Sequence, residues 1–349
     1  MGLASYVVGR GIALFSVFLI SVTLFFIVMR VLPVALAGGD PFKPMQLQDP
    51  VWSALRRSME DPRFTGWINY TAERLGLNLP LIPNQLLIYL RNIFVLEFGY
   101  SIYTQQPVLK EIMIRLPYTL ALYIYGVIVP LILGYLTGVL ALKYRGGRID
   151  TFITLSSLTS HILPSYILLL LIYYFLAYLP KVTLGITIFP LPTRTPSLSD
   201  FSLENIRYVL WYVSPIYLSM TLAWFGGWAY YFRQLLVSEA EKDYVVTARA
   251  KGIPESKILR REITPNVRPP IIMSLAYHIP GIFGGSIILE MLTSWPGIAY
   301  FSYQAFLNFD YTVIVAFYVI SSLLLVVSLF IADVLIAILD PRVRVGGGR

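Results

Sequence analysis

The side chains that most often carry out chemistry are scarce in this sequence of 349 residues. It contains no cysteine, and its two histidines, His161 and His278, lie far apart and outside any HExxH pattern. A cysteine nucleophile, a thiolate zinc site and a histidine-based metal site are therefore not expected. Glycine never precedes lysine, so the phosphate-binding loop GxxxxGK[ST] is absent. The sequence predicts no catalytic residue, no bound metal and no cofactor in this chain.

Among the ionisable side chains within long apolar stretches, four are candidates for function, namely His161, His278, Glu290 and Asp333. An ionisable group inside a membrane is costly and is a candidate for function, here as part of a substrate path or gate. We expect Glu290 and the turn Ser294–Gly297, which contains Trp295, near an outer gate. Glu290 and Asp333 both lie close to the ends of their stretches, which argues against a role in the membrane interior. Packing is the alternative role for His161.

Three glycines, Gly281, Gly284 and Gly285, lie in the same stretch as Glu290. Glycine lets membrane helices approach closely or bend, so these residues are also candidates for the substrate path. A purely structural role in helix packing explains them equally well.

The overall composition is that of a membrane protein. Hydrophobic residues make up 57% of the chain and charged residues 13%, with a mean hydropathy of +0.69. Soluble domains carry about 45–50% apolar and about 25% charged residues, so these few charges cannot cover a water-soluble protein of this length. The net charge of +8 does not indicate nucleic-acid binding, because the basic residues lie between apolar runs instead of along one polar face.

Six stretches are long and apolar enough to cross a bilayer as helices of about 20 residues. They are Gly11–Val34, Leu116–Leu142, Phe152–Leu179, Tyr208–Phe232, Pro269–Leu292 and Thr312–Leu339. The first also resembles a signal peptide, since Ala35-Leu36-Ala37 is similar to a cleavage site, but its apolar part is longer than the roughly 7–15 residues of a signal core. The expected fold class is an all-α integral membrane protein with six transmembrane helices.

The basic residues predict the orientation, because short loops rich in Lys and Arg stay in the cytoplasm. They cluster after the second stretch, after the fourth and in the C-terminal tail, which predicts a multi-pass plasma-membrane protein with both termini cytoplasmic. The expected segments are a cytoplasmic N-terminus with the first helix (1–34), a large extracytoplasmic segment (35–115), a five-helix core (116–339) and a cytoplasmic tail (340–349).

The charged loop 239–268, between the fourth and fifth stretches, carries clear signals of local structure. Asp243 can cap a first short helix, and Gly252 suits its left-handed C-terminal end. Pro254 suits the first turn of a second helix, which Pro265 would end. Two short helices joined at a glycine beneath two membrane helices would form a rigid handle, and we use that name for residues 239–268. An ordinary amphipathic loop on the bilayer surface is the alternative.

The segment Asp243–Gly252 (DYVVTARAKG) resembles the signature of permease subunits of binding-protein-dependent ATP-binding cassette (ABC) importers, in its oligopeptide and dipeptide form. Other elements of that family stand in the family's order: Arg30–Pro33, Gly39–Pro41, Phe98–Ser101, Pro107-Val108, Arg115–Thr119, Pro265-Asn266, Gly284-Gly285, Glu290, Ser294–Gly297, Asp310-Tyr311 and Leu339–Arg342. The chain departs from the general importer motif, because Val246-Thr247-Ala248 stands where that motif has Glu-Ala-Ala. We expect Asp243 to take the charged role.

The resemblance implies the type I ABC importer permease fold and a transport subunit that is not itself an enzyme. The handle would dock on an ATPase through Asp243, Ala248, Ala250, Gly252, Ile253, Glu255, Arg260 and Arg261. The implied partners are two ATPase subunits that bind ATP and magnesium, a second homologous permease, an extracytoplasmic substrate-binding protein and membrane lipid, with no nucleic acid. Oligopeptides or dipeptides are the cargo that the family implies, and oligosaccharides are the alternative.

An ion-coupled secondary transporter is the alternative from another class. It would need coupling acids near the bilayer midplane, whereas Glu290 and Asp333 lie near the ends of their stretches. An intramembrane enzyme would need paired acids or histidine ligands, which the sequence lacks. A channel would not need the handle.

Overall fold

The computed structural model describes residues 3–32, 35, 73–76, 79–193, 195–279, 281 and 287–339. The described residues leave out 36–72, 77 and 78 of the predicted segment 35–115, the tail 340–349 and the predicted path residues Gly284 and Gly285. The described part of the chain is helical, with one isolated β-bridge between Tyr100 and Pro107.

The α-helices of the described residues are numbered in chain order. They are α1 Leu3–Phe26, α2 Leu86–Phe94, α3 Val108–Lys143, α4 Arg148–Ile162, α5 Ser165–Ile172, α6 Leu203–Ala240, α7 Asp243–Ala250, α8 Glu255–Ile258, α9 Thr264–His278, α10 Ile287–Leu292, α11 Ile298–Leu307 and α12 Tyr311–Leu339. A π-helical turn extends α1 to Val31. Another, Tyr173–Tyr178, joins α5 to the short α-helix Leu179–Leu184, which is counted as its continuation. A third, Leu259–Ile263, joins α8 to α9 without a break.

Five helical segments of the described residues are long and apolar enough to cross a membrane. They are Leu3–Val31, Val108–Lys143, Ser165–Leu184, Leu203–Ala240 and Tyr311–Leu339, and each overlaps one of the six predicted stretches. The remaining stretch, Pro269–Leu292, contains most of α9 and all of α10, and residues 280 and 282–286 between them are outside the described ranges. The prediction of an all-α membrane protein is confirmed.

The third predicted stretch, Phe152–Leu179, is wrong as a single helix. Helix α4 ends at Ile162, Leu163 is extended (φ −80°, ψ 117°), and Pro164 precedes the first residue of α5. A residue before proline is sterically disfavoured in the helical conformation, which explains the break. The helix that is long enough to span the membrane therefore begins at Ser165.

The chain divides into two compact units, residues 1–116, 279–283 and 301–349, and residues 117–278 and 284–300. In the first unit, α1 packs along α12. Near one end of this pair Arg10 forms an ion pair with the buried Asp333. Near the other end the rings of Phe25 and Tyr318 stack with centroids 3.8 Å apart. Asp333 is thus paired, and the contact fixes the register of the two helices.

The first unit also contains a buried carboxylate, Asp310, just before α12. It accepts hydrogen bonds from Ser101 Oγ (2.5 Å), from the backbone N–H of Tyr103 (3.1 Å) and from Thr312 Oγ1 (2.7 Å). A buried charge is tolerated only when it is hydrogen-bonded or paired in this way. Asp310 therefore holds the loop before α3 against the start of α12.

In the second unit, α3 approaches α6 closely at two glycines. A Cβ atom at Gly134 would lie 2.4 Å from Trp228 Cβ and 2.8 Å from the backbone nitrogen of Ala229, and one at Gly138 would lie 2.7 Å from Phe232 Cβ. These glycines form a GxxxG pair, which lets two membrane helices come into backbone contact. The packing of α3 on α6 therefore depends on the absence of side chains at these positions.

A bidentate ion pair joins α4 to α6. Arg233 Nε and Nη2 donate to the two carboxylate oxygens of Asp150 at 2.6 and 2.7 Å. The hydrogen bond from Arg233 holds the pKa of Asp150 below its usual value, against the opposing effect of burial. The carboxylate therefore stays ionised and keeps the start of α4 fixed on α6.

We predict that Gly134→Ala lowers the thermal stability of the purified protein in detergent. The added methyl must displace Trp228 and the α6 backbone, and overpacking of this kind costs about 1–3 kcal/mol. The matched control is Gly9→Ala, because Gly9 is also helical but has no atom within 4 Å of its Cβ position. The control should be neutral or slightly stabilising, and equal effects of the two substitutions would contradict the close α3–α6 contact.

Candidate functional site

The handle consists of two helical pieces joined at a left-handed glycine, as the sequence predicts. Helix α7 ends at Ala250, and Gly252 has φ +74°. Pro254 then caps α8 at its N-terminus. The bend is therefore set by a backbone conformation that glycine adopts at little cost.

Two details of the predicted handle are wrong. Asp243 is the first residue of α7 instead of its cap, and Lys242 precedes it without a side-chain capping bond. Pro265 does not end the second helix, because α8, the π-helical turn 259–263 and α9 run on to His278. Pro265 is the second residue of α9, directly after the turn in which the hydrogen-bond pattern shifts. The handle thus continues directly into the fifth predicted stretch.

An apolar core joins the handle to the end of α6. Its buried members are Leu236 and Ala240 of α6, Val245 and Ala248 of α7, and Ile258, Ile263 and Val267 of the second helical piece. Ile253, next to the glycine bend, packs against this core and is half-buried. All three elements share one core, so the handle is packed firmly against the end of α6.

Arg249 links the two helical pieces of the handle. Its Nε donates to Glu255 Oε1 at 2.7 Å and its Nη2 to Glu255 Oε2 at 3.4 Å, across the glycine bend. Its Nη1 donates to the carbonyl oxygen of Ala240 at 3.1 Å. One guanidinium group therefore connects α7, α8 and α6.

Tyr244 forms a second polar link, on the side of α9. Its hydroxyl donates to the carboxylate of Glu239 at the end of α6, and Asn266 Nδ2 donates to the hydroxyl oxygen at 3.0 Å. Asn266 also donates to the carbonyl of Glu262 at 2.6 Å. Burial, followed by the hydrogen bond to Glu239, raises the pKa of Tyr244, so the hydroxyl remains a donor.

The predicted coupling residues fall into an exposed group and a buried group. Asp243, Ala250, Gly252, Glu255, Arg260 and Arg261 are exposed. Ala248 lies in the apolar core and Ile253 is half-buried beside it. The exposed residues are available to another protein, whereas Ala248 supports the surface from beneath.

Glu290 is a buried carboxylate, 2% exposed, that organises the turn after α10. Its Oε1 accepts from Thr119 Oγ1 at 3.1 Å and its Oε2 accepts from the backbone N–H of Tyr300 at 2.8 Å, in the first turn of α11. Thr119 Oγ1 in turn accepts the N–H of Ile298 at 2.7 Å. A carboxylate at a helix N-terminus satisfies N–H groups that have no partner within the helix.

The turn itself leaves no space beside the carboxylate. A Cβ at Gly297 would lie 2.2 Å from Glu290 Oε1. Trp295 is fully buried, and its Nε1 donates to the carbonyl of Tyr118 at 2.8 Å. Its ring also stacks on Tyr212, with centroids 5.9 Å apart. Glu290 and Trp295 thus lie in one packed turn.

The two histidines contact neighbouring positions of α6. The ring of His161 is exposed and lies over Gly227, where a Cβ atom would be 2.8 Å from Nδ1. The ring of His278, also exposed, lies 5.0 Å from that of Trp228. Tyr123 donates a hydrogen bond to the carbonyl of His278 at the end of α9. Gly281 is half-buried.

Two contacts that matter for this region have no counterpart among the predicted site residues. The GxxxG pair Gly134/Gly138 is a readable pattern and could have been found. Thr119 lies 171 residues from Glu290, and no local signal connects them. No group of three or more His, Cys, Asp or Glu side chains suited to a metal ion occurs in the described part of the chain.

Comparisons with known proteins agree on one family of membrane transport proteins. Residues 130–345 match the family of binding-protein-dependent transport system inner membrane components. The oligopeptide transport system permease protein AppB of Bacillus subtilis is 32% identical over 344 residues, covering 98% of this chain and 100% of that protein. The dipeptide transport system permease protein DppB of Lactococcus lactis is 27% identical with the same coverage. The metal-staphylopine import system permease protein CntB of Staphylococcus aureus is 30% identical over 79% of this chain and 82% of that protein.

We predict that Tyr244→Phe loosens the handle without unfolding the protein. The ring and its packing remain, but the hydroxyl that links Glu239 to Asn266 is lost, and such hydrogen bonds contribute about 0.5–3 kcal/mol. Amide hydrogen exchange should become about tenfold faster in α7 and around residues 262–267. Tyr144→Phe, on a tyrosine outside the handle, is the control and should change nothing there. Unchanged exchange in Tyr244→Phe would contradict the link.

We also predict that Thr119→Val destabilises the protein and that Thr119→Ser does not. Valine keeps the shape of threonine but leaves the N–H of Ile298 and one oxygen of Glu290 without the hydroxyl, a cost of about 1–3 kcal/mol for buried groups. Serine retains the hydroxyl. The measurement is thermal unfolding in detergent, and equal midpoints for the two variants would show that the hydroxyl does not support the turn.

Proposed function

Because the chain belongs to the family of binding-protein-dependent transport system inner membrane components, we propose that its handle is the surface through which a separate ATPase drives it. The chain is the membrane-embedded permease subunit of an ATP-driven importer of the oligopeptide and dipeptide class. The observation that supports the role of the handle is its construction. It is exposed on one side and joined through a common apolar core to α6 on the other.

The exposed residues of the handle provide both charge and space for a protein partner. Asp243, Arg260 and Arg261 supply charges of both signs, and Ala250 and Gly252 carry too little side chain to keep a partner away. A docked ATPase would pair with the arginines and pack against the small residues. Nucleotide binding and hydrolysis take place on that partner, because this sequence has no phosphate-binding loop.

The complete transporter that we propose contains four core subunits and a receptor. Two ATPases bind ATP and magnesium, and a second, homologous permease completes the path through the plasma membrane. An extracytoplasmic binding protein delivers the cargo. The handle, the loop after α3 and both termini lie on the cytoplasmic side in this proposal, and the support is the number of basic residues in these loops.

Transport then follows from a shift between two states of the membrane helices. When the two ATPases close on ATP, the docked handles move together, and each handle moves α6 and α9 with it. A nucleotide changes the populations of inward- and outward-open states only as far as it binds them with different affinity. The rigid handle converts this difference in nucleotide affinity into displacement of the membrane helices.

Short peptides are the cargo that we propose. The support is the similarity to permeases named for oligopeptide and dipeptide transport over nearly the whole chain. The chain is also similar to a permease of metal-staphylopine import. Similar permeases that serve different cargoes agree with selection of the cargo by the binding protein more than by the permease. Titration of that binding protein with peptides and with oligosaccharides tests the cargo, and binding of oligosaccharides alone would overturn the proposal.

We predict that Gly252→Val abolishes coupled uptake and that Gly252→Asn retains most of it. The Cβ position is open, so only the left-handed backbone (φ +74°) opposes a side chain. Valine is strained there by about 1–3 kcal/mol, whereas asparagine tolerates this conformation. The measurements are co-purification of the ATPase and ATP-driven uptake in proteoliposomes.

The matched control is Gly146→Val in the loop between α3 and α4. Gly146 has the same φ of +74° and the same open space, so it carries the same strain outside the handle. It should retain ATPase binding. Uptake in Gly252→Val at the wild-type rate would contradict the coupling role, and so would uptake by this chain without an ATPase in an ion gradient.

A further inference from the structure

Helix α2 belongs to the segment that the sequence places outside the membrane, yet it lies alongside α1. The two helices run antiparallel and touch at three levels. The contacts join Gln85 Oε1 to Arg30 Nη2 at 3.0 Å, the Tyr89 hydroxyl to the carbonyl of Val22 at 3.2 Å, and the ring of Phe94 to that of Phe15 at 6.2 Å. The chain therefore descends along α1 from Arg30 towards Phe15.

The depth of this descent follows from helix geometry. Fifteen residues separate the levels of Arg30 and Phe15 on α1, and at 1.5 Å per residue this is about 22 Å. The span Leu3–Val31 has 29 residues, so Phe15 lies near its middle. The tip of α2 is thus level with the centre of a membrane-spanning helix.

After its tip the chain returns to the end of α1 from which it came. Leu96 adopts a left-handed conformation (φ 54°) where the helix has ended. The carbonyl oxygen of Tyr100 then lies 2.8 Å from Thr312 Oγ1, beside the first residue of α12. Residues 86–100 enter and leave on the same side.

The outward face of this segment is apolar. Leu87, Phe94 and Val95 are 61%, 58% and 56% exposed. Leu96 and Phe94 also line an open groove of about 370 Å³ against α1 and α12, and every residue lining it is apolar or glycine. Exposed side chains of the two spanning helices, such as Phe15 and Val327, continue the same surface.

The two charged residues of the segment fit this position. Arg91 is exposed, but the Cα–Cβ bonds of a helix tilt towards its N-terminus, which for α2 is the end level with Arg30. Its long side chain can therefore extend towards the headgroups while its stem stays among apolar groups. Glu97 forms an ion pair with Arg74 at 3.3 Å.

We propose that residues 86–96 form a re-entrant segment within the outer leaflet, whose exposed face binds the acyl chains of membrane lipids. The choice of lipid rests on the continuity of this face with the lipid-facing sides of α1 and α12 and on the wholly apolar lining of the groove. The proposal is independent of how the handle couples to an ATPase.

This chain has no cysteine, so an introduced cysteine is its single labelling site. The purified chain carrying Phe94→Cys or Val95→Cys is labelled with a nitroxide and is then assembled with its partner subunits in phospholipid vesicles. Collisions with oxygen, which concentrates in the bilayer, and with a water-soluble nickel chelate are measured by electron paramagnetic resonance. Val17→Cys, on an exposed position of α1, is the lipid control, and Ser199→Cys, on an exposed loop, is the aqueous control.

We expect labels at Phe94 and Val95 to match the label at Val17, with high oxygen and low nickel accessibility. Nickel accessibility as high as at Ser199 would place the segment in water and overturn the proposal. Low accessibility to both reagents would mean that a protein subunit covers this face, which would also overturn it. Two adjacent positions are used so that the result survives if one variant fails to assemble.

Discussion

One apolar core packs both helical pieces of the handle against the end of α6. The core contains Leu236 of α6, Val245 of α7 and Ile263 before α9, and burial of each such side chain contributes about 1.5–3 kcal/mol. Exposed ion pairs such as that of Arg249 and Glu255 contribute about 0.2–1 kcal/mol. The apolar core therefore holds the handle on α6, and the polar contacts determine its orientation. A loop with the same charges but no core would be a flexible tether and would transmit no displacement.

The force that holds the helices together changes where the chain enters the membrane. Lipid tails are as apolar as leucine, so close van der Waals packing replaces the hydrophobic effect between membrane helices. This explains why α6 presents bare backbone to its neighbours at Gly226 and receives the backbone of α3 at Gly134. Since α6 is one helix of 38 residues, displacement of its handle end is passed along a stiff element to every helix packed on it.

Local chemistry explains which parts of this architecture the sequence predicts. The left-handed bend at Gly252 depends on one residue, and the apolar stretches depend on composition, so both could be predicted. Two of the errors in helix bounds occur at prolines. Pro164 interrupts a helix that hydropathy predicts as continuous, and Pro265 stands within a helix that it was expected to end, because a π-helical turn directly precedes it. The contact of Thr119 with Glu290 joins distant segments, and a single sequence carries no signal for it.

The departure of this chain from the Glu-Ala-Ala motif also has a structural account. Val246 stands at the position of the glutamate and is 52% exposed, whereas Ala248, which agrees with the motif, is buried in the core. The part of the motif that packs is therefore kept, and the part that faces outward has changed. Asp243 lies three residues earlier, on the same face of α7, and its place in the first turn favours a negative charge. Glu255, beyond the glycine bend, is occupied by Arg249. The handle can therefore present an acidic group one turn away from the position at which the general motif places it.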